Sequence, residues 1–325
     1  MRTMLKILTL NSKNDKQLRS IVVSFYLLLL VSLQNLVYGF LHKDSHILLD
    51  LCFLVFHLIV LVSSAYFHYS SNQGSSTEFS FGLGRLIVIS GFINGVASLF
   101  KAFHISTTGI QSFHPLISAT SKPFLISTRL GVDIFLLFYL RGYAKLGPIF
   151  NENKYVNLHG IFLVFFGDFL LVSASILVYF LSKTGIKFIQ PFCYLCSGIC
   201  LGAYSLPLIK RTSLILLQTT PAPIAEKIKS CLSQVLNVEG VVEYNTERFW
   251  SINDGVYIGS LRVIIRNESH EEQILNEVKQ IFQPIISHLT VEIEKQKIEQ
   301  QQIYTQLNNY LLNQQNSLYN EKKTD

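Results

Sequence analysis

Charge is almost absent from the middle of this chain. Residues 20–219 hold 18 Asp, Glu, Lys and Arg, whereas residues 1–19 hold 6 and residues 220–325 hold 24. A soluble globule spreads charge over its surface, at about a quarter of its residues. A disordered chain is poorer in apolar residues than this one, of which 49% is hydrophobic and 15% charged. The pattern therefore indicates an α-helical polytopic membrane domain followed by a soluble domain. Five cysteines, three of them inside an apolar stretch, make no disulfide framework. The net charge of +6 comes with no basic patch interleaved with aromatics, which argues against a nucleic-acid partner.

A helix needs about 20 apolar residues to cross a bilayer. Six candidate spans follow: 21–41, 46–68, 86–110, 124–143, 157–182 and 188–209. The first is read as a span and not a removed signal peptide, because no cleavage site follows a short apolar core. The fourth contains Arg129 and Asp133, four residues apart on one helical face, where they could neutralise each other locally. Lys and Arg are in excess in residues 1–20, in the loop after the fourth span and after the sixth. Both termini are therefore expected in the cytosol.

From about Thr219 the pattern changes. Pro221-Ala-Pro223 ends the membrane part, and Ile224–Leu236 reads as an amphipathic helix. Gly240–Asn245 and Tyr257–Arg266 read as strands joined near Asp254-Gly255. Ser269 with Glu272 reads as a capping box opening a helix, and His288–Glu294 alternates like a last strand. The order αββαβ suggests a ferredoxin-like α+β domain. The expected organisation is a cytosolic N-terminus at 1–20, a membrane domain at 21–217, a cytosolic dimerisation domain at 218–294, and a Gln/Asn-rich tail at 295–325.

Three segments carry a family resemblance. Phe79-Ser-Phe-Gly-Leu-Gly-Arg85, followed by Val88–Asn94, resembles the start of the third span in cation diffusion facilitators, the zinc transporter family. Leu216-Leu-Gln-Thr-Thr-Pro221 is similar to that family's junction between membrane and tail domains. Glu247–Trp250 with Val256–Leu261 is similar to its first two tail strands. The closest likeness is to the early-secretory-pathway branch, and the junction wording most resembles its non-transporting partner subunit, of the zinc transporter six type.

The resemblance implies a dimer that exchanges protons for cytosolic zinc. Its tetrahedral site is made by one His-x-x-x-Asp pair on span two and another on span five. It further implies Golgi or other early secretory membranes, zinc as transported ion with no resident cofactor, and no enzymatic activity. Counting from Tyr38-Gly39 or back from Gly82, the four ligand positions fall on Phe53, His57, Val164 and Asp168. Two of the four are apolar, and a third has changed type. His46 and Asp50 have the right spacing and form an alternative pair. They lie at the mouth of span two, about 10–15 Å short of the bilayer centre.

The expectation is therefore an auxiliary subunit that lacks a complete metal site and dimerises with a transport-competent zinc transporter of the same family. His57 and Asp168 would be the remnant of the site, and His57 is the candidate partner for Asp168. One alternative is an active zinc/proton antiporter with a rearranged site. Another is a membrane anchor that recruits soluble partners through 295–325. Cys193, Cys196 and Cys200 share one face of span six, either as soft-metal ligands or as small buried residues. His42, His68, His104 and His114 lie near span ends and are expected to be largely solvated.

Overall fold

The computed structural model describes residues 15–43, 45–112, 123–143, 155–181, 188–253 and 255–296. Several positions read above lie outside these: residues 1–14, His114, most of the loop after the fourth span at 144–154, Asp254 and the tail from 297 on. The chain divides into two compact units, the first Met1–Gln218 with Ile252–Gly255 and the second Thr219–Ser251 with Val256–Asp325.

The first unit is helical: α1 Lys16–His42, α2 Ser45–Ser71, α3 Arg85–Gln111, α4 Pro123–Leu140, α5 Val156–Leu181 and α6 Ile189–Leu216. A short 3-10 turn, Arg141–Tyr143, follows α4. Among the described residues five helices, α1–α3, α5 and α6, are long and apolar enough to cross a membrane. The sixth, α4, has 18 residues and includes Arg129 and Asp133. At 1.5 Å per residue it is about 27 Å long, close to the ~30 Å of a hydrocarbon core. Helix α6 runs seven residues beyond the expected end at 209 and carries Pro207 inside it. Pro221 instead caps the next helix.

Helix α5 is the centre of the unit, buried almost continuously from Val156 to Phe165. Lipid tails are as apolar as Leu, so helices associate through close packing of small residues rather than hydrophobic exclusion. Gly198 of α6 shows this. A Cβ there would stand 2.1 Å from the Ser106 hydroxyl oxygen and 2.8 Å from the Ala102 carbonyl oxygen of α3.

The start of α1 is fixed by Asp15, whose side chain accepts hydrogen bonds from the backbone N–H of Gln17 and Leu18. The same carboxylate meets Nε2 of His68, in the last turn of α2, at 2.7 Å. His68 is thus buried and paired, not solvated. Burial alone would raise the Asp15 pKa. The hydrogen bond and charge of His68, with the two backbone N–H groups, outweigh it and hold the carboxyl below its usual value.

The second unit runs α7 Ala222–Val235, β1 Val241–Asn253, β2 Val256–Ile265, α8 Glu271–Phe282 and β3 His288–Lys295. Its sheet order is β1-β2-β3. β2 and β3 are parallel, from Ile258 opposite His288 to Ile265 opposite Lys295, with α8 as the crossover. Ile228, Cys231, Val235, Leu261, Val263, Val278 and Phe282 form its core. The expected capping box does not form. The cap of α8 is His270, without a side-chain cap bond. Ser269 instead closes a turn, its N–H donating to the Arg266 carbonyl, with its side chain against Gly240.

Two outcomes follow from this packing. Gly198→Val forces α3 and α6 apart and lowers the melting temperature of the purified full chain, by about 1–3 kcal/mol of stability. Gly131→Ala, in open space, does not. For Asp15, a depressed folded pKa means a contribution present above the unfolded carboxylate value and lost as pH falls through the folded one. The melting-temperature deficit of Asp15→Asn against wild type is therefore full at pH 6 and shrinks below about pH 4.

Candidate metal centre

Four helices converge on one carboxylate. Asp168 lies twelve residues into α5, about 18 Å along it and near its middle, and is 1% exposed. His57 sits at the corresponding depth of α2, 2% exposed. Its Nδ1 approaches Asp168 Oδ2 to 3.3 Å, without hydrogen-bond alignment. The other oxygen, Oδ1, accepts from two cations: the Lys101 ammonium on α3 and the Arg129 guanidinium, through Nη2, on α4. Lys101 is 4% exposed.

Arg129 thus turns across to α5 and not along its own helix to Asp133, as its spacing suggested. Asp168 is the more demanding group: its own helix offers it no cation, and a bare carboxylate at this depth is strongly disfavoured. Asp133 is buried at 2% exposure, and its Oδ2 has no hydrogen-bond partner among the described residues. Lys101 and Arg129 supply the nearby positive charge.

The remaining ligand positions hold no donor. The Phe53 ring packs against the His104 ring, centroids 4.1 Å apart, and Val164 is buried. Asp50 is exposed, outside the cluster, and the His46 side chain lies outside the described residues. Cys196 is exposed, with Cys193 and Cys200 half-buried, so this face of α6 does not supply the small buried residues expected of it. Among the described residues no group of three or more His, Cys, Asp and Glu could hold a metal ion.

Lys101 was absent from the sequence reading. The signal was present: it stands mid-helix in α3, with no Asp, Glu, Lys or Arg between it and Arg85. Its aliphatic stem passes over Gly167, where a Cβ would meet Lys101 Cδ at 3.2 Å and Leu201 Cδ2 at 2.6 Å.

A second polar cluster lies about 10 Å or more along the bundle. Asn94 donates through Nδ2 to Asn157 Oδ1 at 3.0 Å and to the Ser64 hydroxyl at 3.1 Å. Ser90 donates to Asn157 Oδ1 at 2.8 Å, and Asn157 Nδ2 to the Ser64 carbonyl at 3.3 Å. This network joins α2, α3 and α5 without any net charge.

Residues 21–217 match the cation efflux transmembrane domain. The chain belongs to the cation diffusion facilitator family of zinc transporters. Its similarity extends to metal tolerance protein C2 of Arabidopsis thaliana, 24% identical over 87% of this chain and 73% of that protein. Zinc transporter 7 of Gallus gallus is 22% identical over 86% of this chain and 91% of its own length. Zinc transporter 6-A of Xenopus laevis is 23% identical over 74% and 57% respectively. As a cation diffusion facilitator, the chain is a membrane protein of a zinc-handling family.

Removing Asn94 tests the uncharged layer. Asn94→Ala takes one hydrogen-bond partner each from Ser64 and Asn157, which keep Ser90, and lowers stability by about 0.5–2 kcal/mol, read as a drop in melting temperature.

Proposed function

We propose that this chain is an auxiliary, transport-deficient zinc transporter subunit that pairs with a transport-competent member of its family in early secretory membranes, such as the Golgi, with both termini cytosolic. The observation that carries the reading is the occupation of Asp168 by the chain's own cations. Zinc takes four N, O or S donors, typically at about 2.0–2.3 Å. At the positions where the family resemblance puts its ligands, this chain offers one imidazole and one carboxylate, and the carboxylate is held by Lys101 and Arg129. A zinc ion at Asp168 would meet two positive charges already held on the same carboxylate, in a low-dielectric interior where like charges repel strongly.

A subunit of this kind contributes helices and tail to a dimer whose other half moves the ion. His57 and Asp168 are then remnants of a ligand set, retained for packing and charge. Similarity to zinc transporters 7 and 6-A supports the zinc connection.

Reconstitution decides the matter. The chain purified alone and placed in proteoliposomes is expected to give no proton-driven zinc flux above empty vesicles. Purification from native membranes is expected to bring down a second cation diffusion facilitator. Homomeric flux comparable with a competent relative would overturn the proposal. Its failure would also appear in cells. A working rearranged site loses zinc tolerance on His57→Ala, whereas an auxiliary subunit keeps it while dimerisation holds.

A further inference from the structure

We infer that Lys101 and Arg129 are tethered counter-cations of Asp168, standing in for a divalent ion and holding α3, α4 and α5 together without metal, with His57 of α2 beside them. This rests on the proposed function only in taking Asp168 as a former ligand position.

Charge balance is the first ground. The cluster contains Lys101 and Arg129, both cationic, against Asp168 and Asp133, both carboxyl groups, with the His57 imidazole beside them. Even with both carboxyl groups ionised and His57 neutral, these groups carry no net negative charge to attract a metal ion, and a protonated Asp133 makes them net positive. A divalent cation brought to Asp168 meets Lys101 and Arg129 on the same carboxylate, in a low-dielectric interior where like charges repel strongly.

Geometry is the second ground. The two cations come from different helices and reach the same carboxylate oxygen. Lysine's long stem passes close to Gly167 of α5, where an added Cβ would crowd it at 3.2 Å and would meet Leu201 more closely at 2.6 Å. A buried cation packed against its partner's helix is a built arrangement, unlike a surface pair that could form or dissolve freely.

Covalent attachment is the third. A zinc ion binds, leaves and takes its charge with it. An ammonium on α3 cannot leave, so its effective concentration at Asp168 stays high through any motion of the bundle. The pairing therefore favours one arrangement of α3, α4 and α5 at all zinc concentrations.

The test is stepwise charge neutralisation in the purified full chain in lipid nanodiscs, read as melting temperature with and without added zinc. Asp168→Asn strands two buried cations and is expected to lower the melting temperature by about 10 °C, equally with and without zinc. Lys101→Met combined with Asp168→Asn leaves Arg129 opposite Asp133 and is expected to recover at least half of that loss. If Asp168→Asn does not fold, recovery of a monodisperse peak by the double variant is the readout. Wild type is expected to show no zinc-dependent shift.

A double variant no better than Asp168→Asn would overturn the inference. So would a rise of several degrees in wild type on adding zinc that Asp168→Asn abolishes. Neither outcome depends on flux. An active transporter found in proteoliposomes would refute the proposed function, whereas absence of rescue would refute only the tethered cations.

Discussion

A carboxylate at the centre of a bilayer cannot stand alone, and Asp168 is such a carboxylate. The solvent that would neutralise it is absent, and its own helix offers no cation within reach, so compensation has to come from other helices. Lys101 comes from α3, Arg129 from α4, and His57 faces it from α2. One ionisable group thereby ties the relative depth of α3, α4 and α5, with α2 placing His57 beside it. The same demand explains why α4 can carry Arg129 and Asp133 in an otherwise apolar sequence: Arg129 is compensated across the bundle. Gly167, the neighbour of Asp168, leaves room for Leu201 of α6 first and for the lysine stem beside it.

The uncharged network of Ser64, Ser90, Asn94 and Asn157 does a different task at another depth. Hydrogen bonds between membrane helices add modest stability, because the separated helices also find partners for their polar groups. What the network supplies is register. Amide and hydroxyl groups have fixed directions and short reach, so they align α2, α3 and α5 to within a side-chain rotamer. The ionic cluster supplies the complementary term: long, flexible cations that tolerate small displacements while keeping charge neutral.

Much of the fold was legible because its signals are local. Long apolar runs mark the helices of the membrane unit, and the alternation in Tyr257–Arg266 and His288–Glu294 marks strands of the second unit. Helix ends were less legible: Pro207 was accommodated inside α6, and the α8 cap fell on His270 because Ser269 was engaged in a turn. For the site, His57 and Asp168 stand out as ionisable groups at mid-span, and family spacing leads to both. Lys101 is as ionisable and as central, yet a window average over α3 absorbs one lysine among apolar neighbours. Arg129 drew notice but was matched to Asp133, because sequence spacing reveals partners only within a helix. Partners across helices depend on which faces meet, and no single helix encodes that.

Substitution of cargo by tethered charge carries a consequence for what such a subunit can do. An ion-carrying site must bind strongly enough to load and weakly enough to release, so it stays poised between states. A lysine and an arginine anchored by their own helices meet no such requirement, and they stabilise whichever arrangement brings them to Asp168. The result favours constancy over turnover. In a dimer, a half that keeps its shape at any zinc level offers the moving half a fixed surface to work against. On the proposed reading, the apolar residues at positions 53 and 164 and the cations at 101 and 129 act in one direction. The first pair leaves zinc without donors, and the second neutralises Asp168 without it.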